Sequence, residues 1–189
     1  MIAYQKEKVE NAICFFAVEH QKVTKKPLYQ IFLYKYLALF DFDCLKAIGR
    51  SSLGLKYLAM KRGPVPIEIY SKRDSYKTDC VEFRKVGQDQ YIVVAKAKWP
   101  DLSYFSPIEV GRMKRLIEFF ADRFVTSNEM SEASHQEIKA WRKAWKRKEN
   151  SPIDFGEEFD EDLTLKDPKI LSVAEEAFLI HKGIEQPSN

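Results

Sequence analysis

Four kinds of residue in this chain could carry chemistry, and their spacing decides whether they do. His20, His135 and His181 fall in separate segments, none with a second ligand at the spacing a bound metal requires. Ser134 and His135 are adjacent, and adjacent residues on a helix face different ways. The pair therefore reads as a capping serine and a first-turn histidine rather than a nucleophile and its base. Cys14, Cys44 and Cys80 are dispersed, odd in number and without a CxxC, which predicts buried thiols in a reducing compartment. The carboxylates Asp154, Glu157, Glu158, Asp160, Glu161 and Asp162 form a run that reads as solvated, where nothing would raise a pKa. The seven glycines form neither GxGxxG nor GxxxxGK[ST], so no phosphate-cradling loop is expected. No nucleophile, base and orienting group come together. The chain does not read as an enzyme, and no cofactor or metal is expected.

Binding is the chemistry left, and one helix concentrates the charge for it. Lys139, Arg142, Lys143, Lys146 and Arg147 crowd a stretch that also carries Ile138, Trp141 and Trp145, and the acidic run follows at once. This is either a solvated face partly neutralised by a loop, or a basic binding face screened until a partner arrives. The overall balance is mild: 31 basic against 28 acidic residues, a net charge of +3 and a pI near 8.6 do not by themselves imply a nucleic-acid partner. Hydrophobic residues at 45% suffice for a core, and 189 residues suggest one domain with an appendage. The N-terminus carries no apolar signal core. The most apolar run, residues 28–40, is too short to span a bilayer and is interrupted by Gln30 and Lys35. A soluble cytoplasmic protein is expected.

The elements that must position these residues follow from periodicity. Residues 7–20 keep helical spacing through Val9, Ala12, Ile13, Phe16 and Ala17. Pro27 suits a first helical position, and residues 28–40 form a helix apolar around most of its circumference, which places it mid-core. Residues 41–52 are least readable, a helical turn with Phe42, Leu45 and Ile48 inward. Residues 55–60 alternate like a strand, and Gly63-Pro-Val-Pro66 then makes a stiff corner into a short helix. Residues 81–86 and 91–95 read as a hairpin in a sheet of two or three strands. Ser106-Pro107-Ile108-Glu109 starts a helix with Met113, Leu116, Ile117, Phe120 and Phe124 inward, and Thr126 with Glu129 starts another. Ser134-His-Gln-Glu137 looks like a third box opening the basic helix. A final helix is expected from Asp167-Pro168 through Ile180, with Gly183 as its stop. The fold class is α+β and mainly helical: a helical globule with a small antiparallel sheet over residues 1–149, and an extension over 150–189 with an acidic loop and a last helix.

The order of three blocks is familiar. Leu28-Tyr-Gln-Ile-Phe-Leu-Tyr-Lys-Tyr-Leu-Ala38 precedes Gly54-Leu-Lys-Tyr-Leu-Ala59 with Gly63-Pro-Val-Pro66; Ser134-His-Gln-Glu137 with Trp141 comes last. Over residues 5–148 the chain resembles the Panacea domain, also called the SocA-like or phage-associated antitoxin domain. The resemblance implies a mainly helical globule with a small sheet, acting as the antitoxin of a toxin–antitoxin pair that neutralises a cognate protein toxin by direct binding. One branch of the family resembles an adaptor that presents its toxin to a Clp-type protease. The resemblance makes Gly54, Tyr57, Gly63, Pro64, Val65, Pro66, Ser134, His135, Glu137 and Trp141 motif residues of the scaffold. Many relatives carry an added helix-turn-helix domain, for which no room is left here, so nucleic acid is not the expected partner. The extension is a candidate for toxin choice. The alternative is a nucleic-acid-binding or regulatory protein of a phage or mobile element using residues 135–148.

Overall fold

Helix α2 (Gln30–Ile48) is apolar nearly all round, and 12 of its 19 residues are buried, so other elements must surround it. Helices α1 (Gln5–Thr24), α4 (Pro107–Phe120), α5 (Ser127–Glu137) and α7 (Val173–Glu185) all pack against it, as does a β-hairpin. The computed structural model describes residues 2–123, 125–159 and 162–185. Phe124 of the α4 pattern, Asp160 and Glu161 of the acidic run, and residues 186–189 of the extension lie outside them. Among the described residues the architecture is mainly helical α+β, with seven α-helices and two small antiparallel sheets. No described helix is long and apolar enough to cross a membrane.

The central helix starts later and ends later than its apolar run suggests. Leu28–Tyr29 are a short strand, β1, pairing with β5 (Tyr91–Ala95) through Leu28↔Val93 and Tyr29↔Ile92. Pro27 therefore closes a connector instead of opening a helix. The helix continues through residues 41–48 and stops at Gly49, whose φ of 70° few other residues adopt and whose amide bonds to the Leu45 carbonyl at 2.9 Å. Strand β4 (Val81–Lys85) pairs with β5 as expected, giving a sheet ordered β1-β5-β4.

Gly63-Pro-Val-Pro66 is not a corner but a strand. It forms β3, paired antiparallel with β2 (Tyr57–Met60), and helix α3 (Ile67–Lys72) follows directly. The prolines fit because of where their missing amides would point. Ile67 donates to the Lys56 carbonyl at 3.0 Å, so alternate residues of β3 face β2 while Pro64 and Pro66 face away. Their outward edge is buried against α2 and α5, where an N–H would find no acceptor; proline removes the donor. On the other side of β2, residues 150–153 run alongside it through one antiparallel bridge, Leu58↔Pro152. Ala59 donates to the Ser151 carbonyl, Asn150 to the Ala59 carbonyl and Ile153 to the Tyr57 carbonyl, at 2.8–2.9 Å.

Two of the three expected capping boxes form. Ser106 with Glu109 caps α4, and Thr126 with Glu129 caps α5. The third does not. Ser134 to Glu137 are the last turn of α5, and α6 (Lys139–Arg147) starts after Ile138 with no side-chain bond from its own N-cap. The last helix also differs: Asp167-Pro168 opens only a 3-10 turn, Pro168–Ile170. Helix α7 begins at Val173, behind a reciprocal Ser172–Glu175 pair (2.7 and 3.2 Å), and contains Gly183 rather than stopping at it.

Candidate functional site

The three resemblance blocks, far apart in sequence, meet at one place. Lys35 of α2 lies 1% exposed beneath the hairpin, its Nζ 3.4 Å from the Pro64 carbonyl. Gly63 closes the β2–β3 turn with φ 103°. A Cβ on it would sit 2.6 Å from Ser134 Oγ and 2.8 Å from Lys35 Nζ, so glycine is required there twice over. Ser134 is fully buried and donates to the Ser131 carbonyl at 2.7 Å. His135 stacks on Trp141 with centroids 3.9 Å apart and planes 3° from parallel, and Trp141 stacks on Trp145 at 5.7 Å. Trp141 is buried and its Nε1 donates to the Met60 carbonyl at 3.2 Å, joining α6 to the hairpin.

The electrostatics of this junction are one-sided. Burial pushes the Lys35 ammonium down to about 7, and the Arg62 guanidinium at the hairpin turn acts the same way. Burial also lowers His135; Glu132, 3.8 Å from Nδ1, opposes that, and Lys35 adds to it. Its Nε2 is buried with no hydrogen-bond partner. Among the described residues no carboxylate lies within ion-pair distance of Lys35. Lys35 was not legible as a site residue, because the hairpin that folds over its ammonium comes from a distant part of the sequence.

The remaining motif residues are held by carboxylates on α2 and α4. Asp41, fully buried, accepts from Leu53 N (2.6 Å), Leu55 N (3.5 Å) and Tyr57 Oη (2.9 Å), which shapes the approach to β2. Burial raises its carboxyl to about 6 against the pull of those bonds. Gly54, at φ 60°, is crossed by Ile2 and Gln5, whose Nε2 donates to the Leu53 and Gly54 carbonyls. Glu109 does more than cap α4. Burial pushes its carboxyl up, yet bonds from Lys8 (2.6 Å), Ser52 (2.6 Å) and Ser106 N (2.7 Å) hold it below the usual range. Val65 and Pro66 are buried in the hairpin, whereas Glu137 is exposed beside Lys46.

The basic helix is engaged by its own chain. Arg142 donates to the His135 (2.8 Å) and Gln136 carbonyls at the end of α5, Lys143 to the Phe159 carbonyl at 3.1 Å, and Arg147 pairs with Glu157. Lys139 also has a partner, and Lys146 is exposed. Glu158, expected to be solvated, is instead buried: its Oε2 accepts from Ala140 N at 2.9 Å and so caps α6, while burial raises its pKa despite that bond. Beside it, Phe155 stacks on Phe42 at 4.8 Å. Within the acidic segment, Phe155 and Glu158 are therefore packed onto the core, whereas Asp154 and Asp162 are exposed.

Large apolar side chains are exposed at Tyr4, Tyr29, Val86, Trp99, Ile108 and Phe119, and the extension adds four more. Leu165, Ile170, Val173 and Ile180 are 85, 64, 83 and 56% exposed, and all four belong to the extension. Comparison with known proteins bears on the same division. Neither the curated proteins nor the solved structures gave a match. The family described as "Antitoxin SocA-like, Panacea domain" matches residues 33–142, from α2 through the first turn of α6, and includes Lys35, the hairpin, His135 and Trp141. Helix α1 and everything after Arg142 lie outside that span. With more than half of its length matched, and with the matched blocks packed into one junction, the chain belongs to the SocA-like, Panacea-domain antitoxin family.

Proposed function

We propose that the protein is the antitoxin of a toxin–antitoxin pair and neutralises a protein toxin by direct binding, with the extension supplying much of the contact. The family match supports the antitoxin role. One observation carries the choice of surface: the four most solvent-laid apolar side chains of the extension, Leu165, Ile170, Val173 and Ile180, stand outside the family-matched span. A shared scaffold that leaves most of its motif residues buried, joined to a chain-specific appendage that adds exposed apolar groups of its own, suits a protein whose partner varies. Nucleic-acid binding through α6 fits less well, because Arg142, Lys143 and Arg147 already donate inside the protein.

The test is growth rescue. The adjacent open reading frame is expressed in a susceptible bacterium with and without this protein, and survivors are counted. Arrest that the wild type reverses is expected. A Val173→Glu/Ile180→Glu variant should lose rescue while melting within a degree or so of wild type, since exposed substitutions usually move stability by less than about 0.5 kcal/mol. Full rescue by that variant would move the contact to another face, and a harmless neighbour would remove the antitoxin reading.

A further inference from the structure

Three cationic or donor groups from three separate elements lie around the β2–β3 turn, Lys35 beneath it and Arg62 exposed on it, and the one carboxylate paired with any of them among the described residues, Glu132, sits on His135. Lys35 comes from α2, Arg62 from the turn and His135 from α5; Arg62 disfavours the charged form of Lys35, and Lys35 disfavours that of His135. Lys35 is nine-tenths or more buried, yet among the described residues its one hydrogen-bond acceptor, the Pro64 carbonyl, lies at a long 3.4 Å, and an ammonium carries three donors. His135 Nε2 is buried and unpartnered. Glu132 lies on the far nitrogen of that ring, 3.8 Å from Nδ1, and so faces away from the unpartnered one. A packed core with uncompensated like charge is costly, and apolar residues of the same size would be more stable. Such a cluster makes sense where a counter-charge arrives with a ligand.

We propose that Lys35, Arg62 and His135 form a receptor for one carboxylate carried by the bound protein partner, entering beside the exposed Lys61-Arg62 turn. This rests on the antitoxin reading for the partner, though not for the site itself. The turn is the accessible side: Lys61 and Arg62 are exposed, and the His135 side chain is 20% exposed, while α2 closes the far side. Glycine at 63 leaves the turn's backbone close to Lys35 Nζ and Ser134 Oγ, so a small displacement of the turn opens the path. The carboxylate would accept from Lys35 and from His135 Nε2 with Arg62 outside, a charge-assisted arrangement that fixes the partner's orientation.

Two experiments decide it. In the first, melting is followed in sodium acetate and in sodium chloride at equal ionic strength, for the full chain and for Lys35→Met. Acetate should raise the wild-type Tm by about 2 °C over chloride, as weak binding to the folded state requires. Lys35→Met should melt at or above wild type in chloride and show no acetate-specific rise. An equal rise in the variant, or none in the wild type, overturns the site. In the second, Lys35→Met is put through growth rescue. Loss of rescue by a folded variant assigns the carboxylate to the toxin, and undiminished rescue overturns that assignment. Failure of the wild type to rescue would sink the antitoxin reading alone, since the acetate experiment needs no partner.

Discussion

At Gly63 two constraints coincide, a left-handed backbone and the approach of Ser134 Oγ and Lys35 Nζ to where a side chain would begin. Gly63→Ala should cost about 1–3 kcal/mol from the backbone alone, and the clash adds to it, because both neighbours are buried and cannot swing away. Urea unfolding reads this directly, and a midpoint equal to wild type would show that the turn relaxes freely. Gly63 was marked in sequence as part of a stiff corner and, through the family resemblance, as a scaffold residue, but its left-handed backbone was not legible, because proline after it argues for an extended one. Nor were Lys35 and Asp41 legible. A lysine or aspartate in an apolar helix looks like an interruption, and only the packing of α5 and residues 52–57 around α2 turns it into a buried anchor. Glu158 misled for the same reason in reverse: an acidic run suggests water, yet one of its members reaches eighteen residues back to cap another helix.

Elements with local signals were read well, and those defined by distant contacts were not. The α4 and α5 starts lie within four residues, where serine or threonine and glutamate satisfy each other's amides. Ser134 and Glu137 have the same spacing, but Ser134 is drawn into the core beside Gly63 and cannot cap. The break between α5 and α6 is instead set by Trp141, which must reach the Met60 carbonyl, and by Glu158. Trp141→Ala should destabilise the fold by about 3–5 kcal/mol, and thermal unfolding at unchanged temperature would place the ring outside the core. The hairpin shows a similar limit. Proline twice in four residues argues for a turn by local rules, and the actual strand exists because the buried edge has no use for amide donors.

At the scale of the molecule, the division into a domain over 1–149 and an appendage was read from composition, and the contacts across it are extensive. Residues 150–153 pair with β2, Phe155 stacks on Phe42, and α7 lies over the end of α2 at Gly49. Removing residues 150–189 should therefore lower the melting temperature, and it should promote association by uncovering the β2 edge. Size-exclusion chromatography and a melting curve on the truncated chain test both; a monodisperse fragment melting like the full chain would show that the extension is merely attached. The pairing of β2 with residues 150–153 also has a consequence in time. The two segments are separated by about half of the chain, and synthesis proceeds at roughly 5–20 residues per second. For on the order of 5–20 s after the hairpin is made, the ribosome carries a nascent protein whose β2 edge has no neighbour. The hairpin gains that neighbour only once residues 150–153 have been made, and a message cut short before them yields a chain that holds the family's motif residues without the segment that covers the β2 edge.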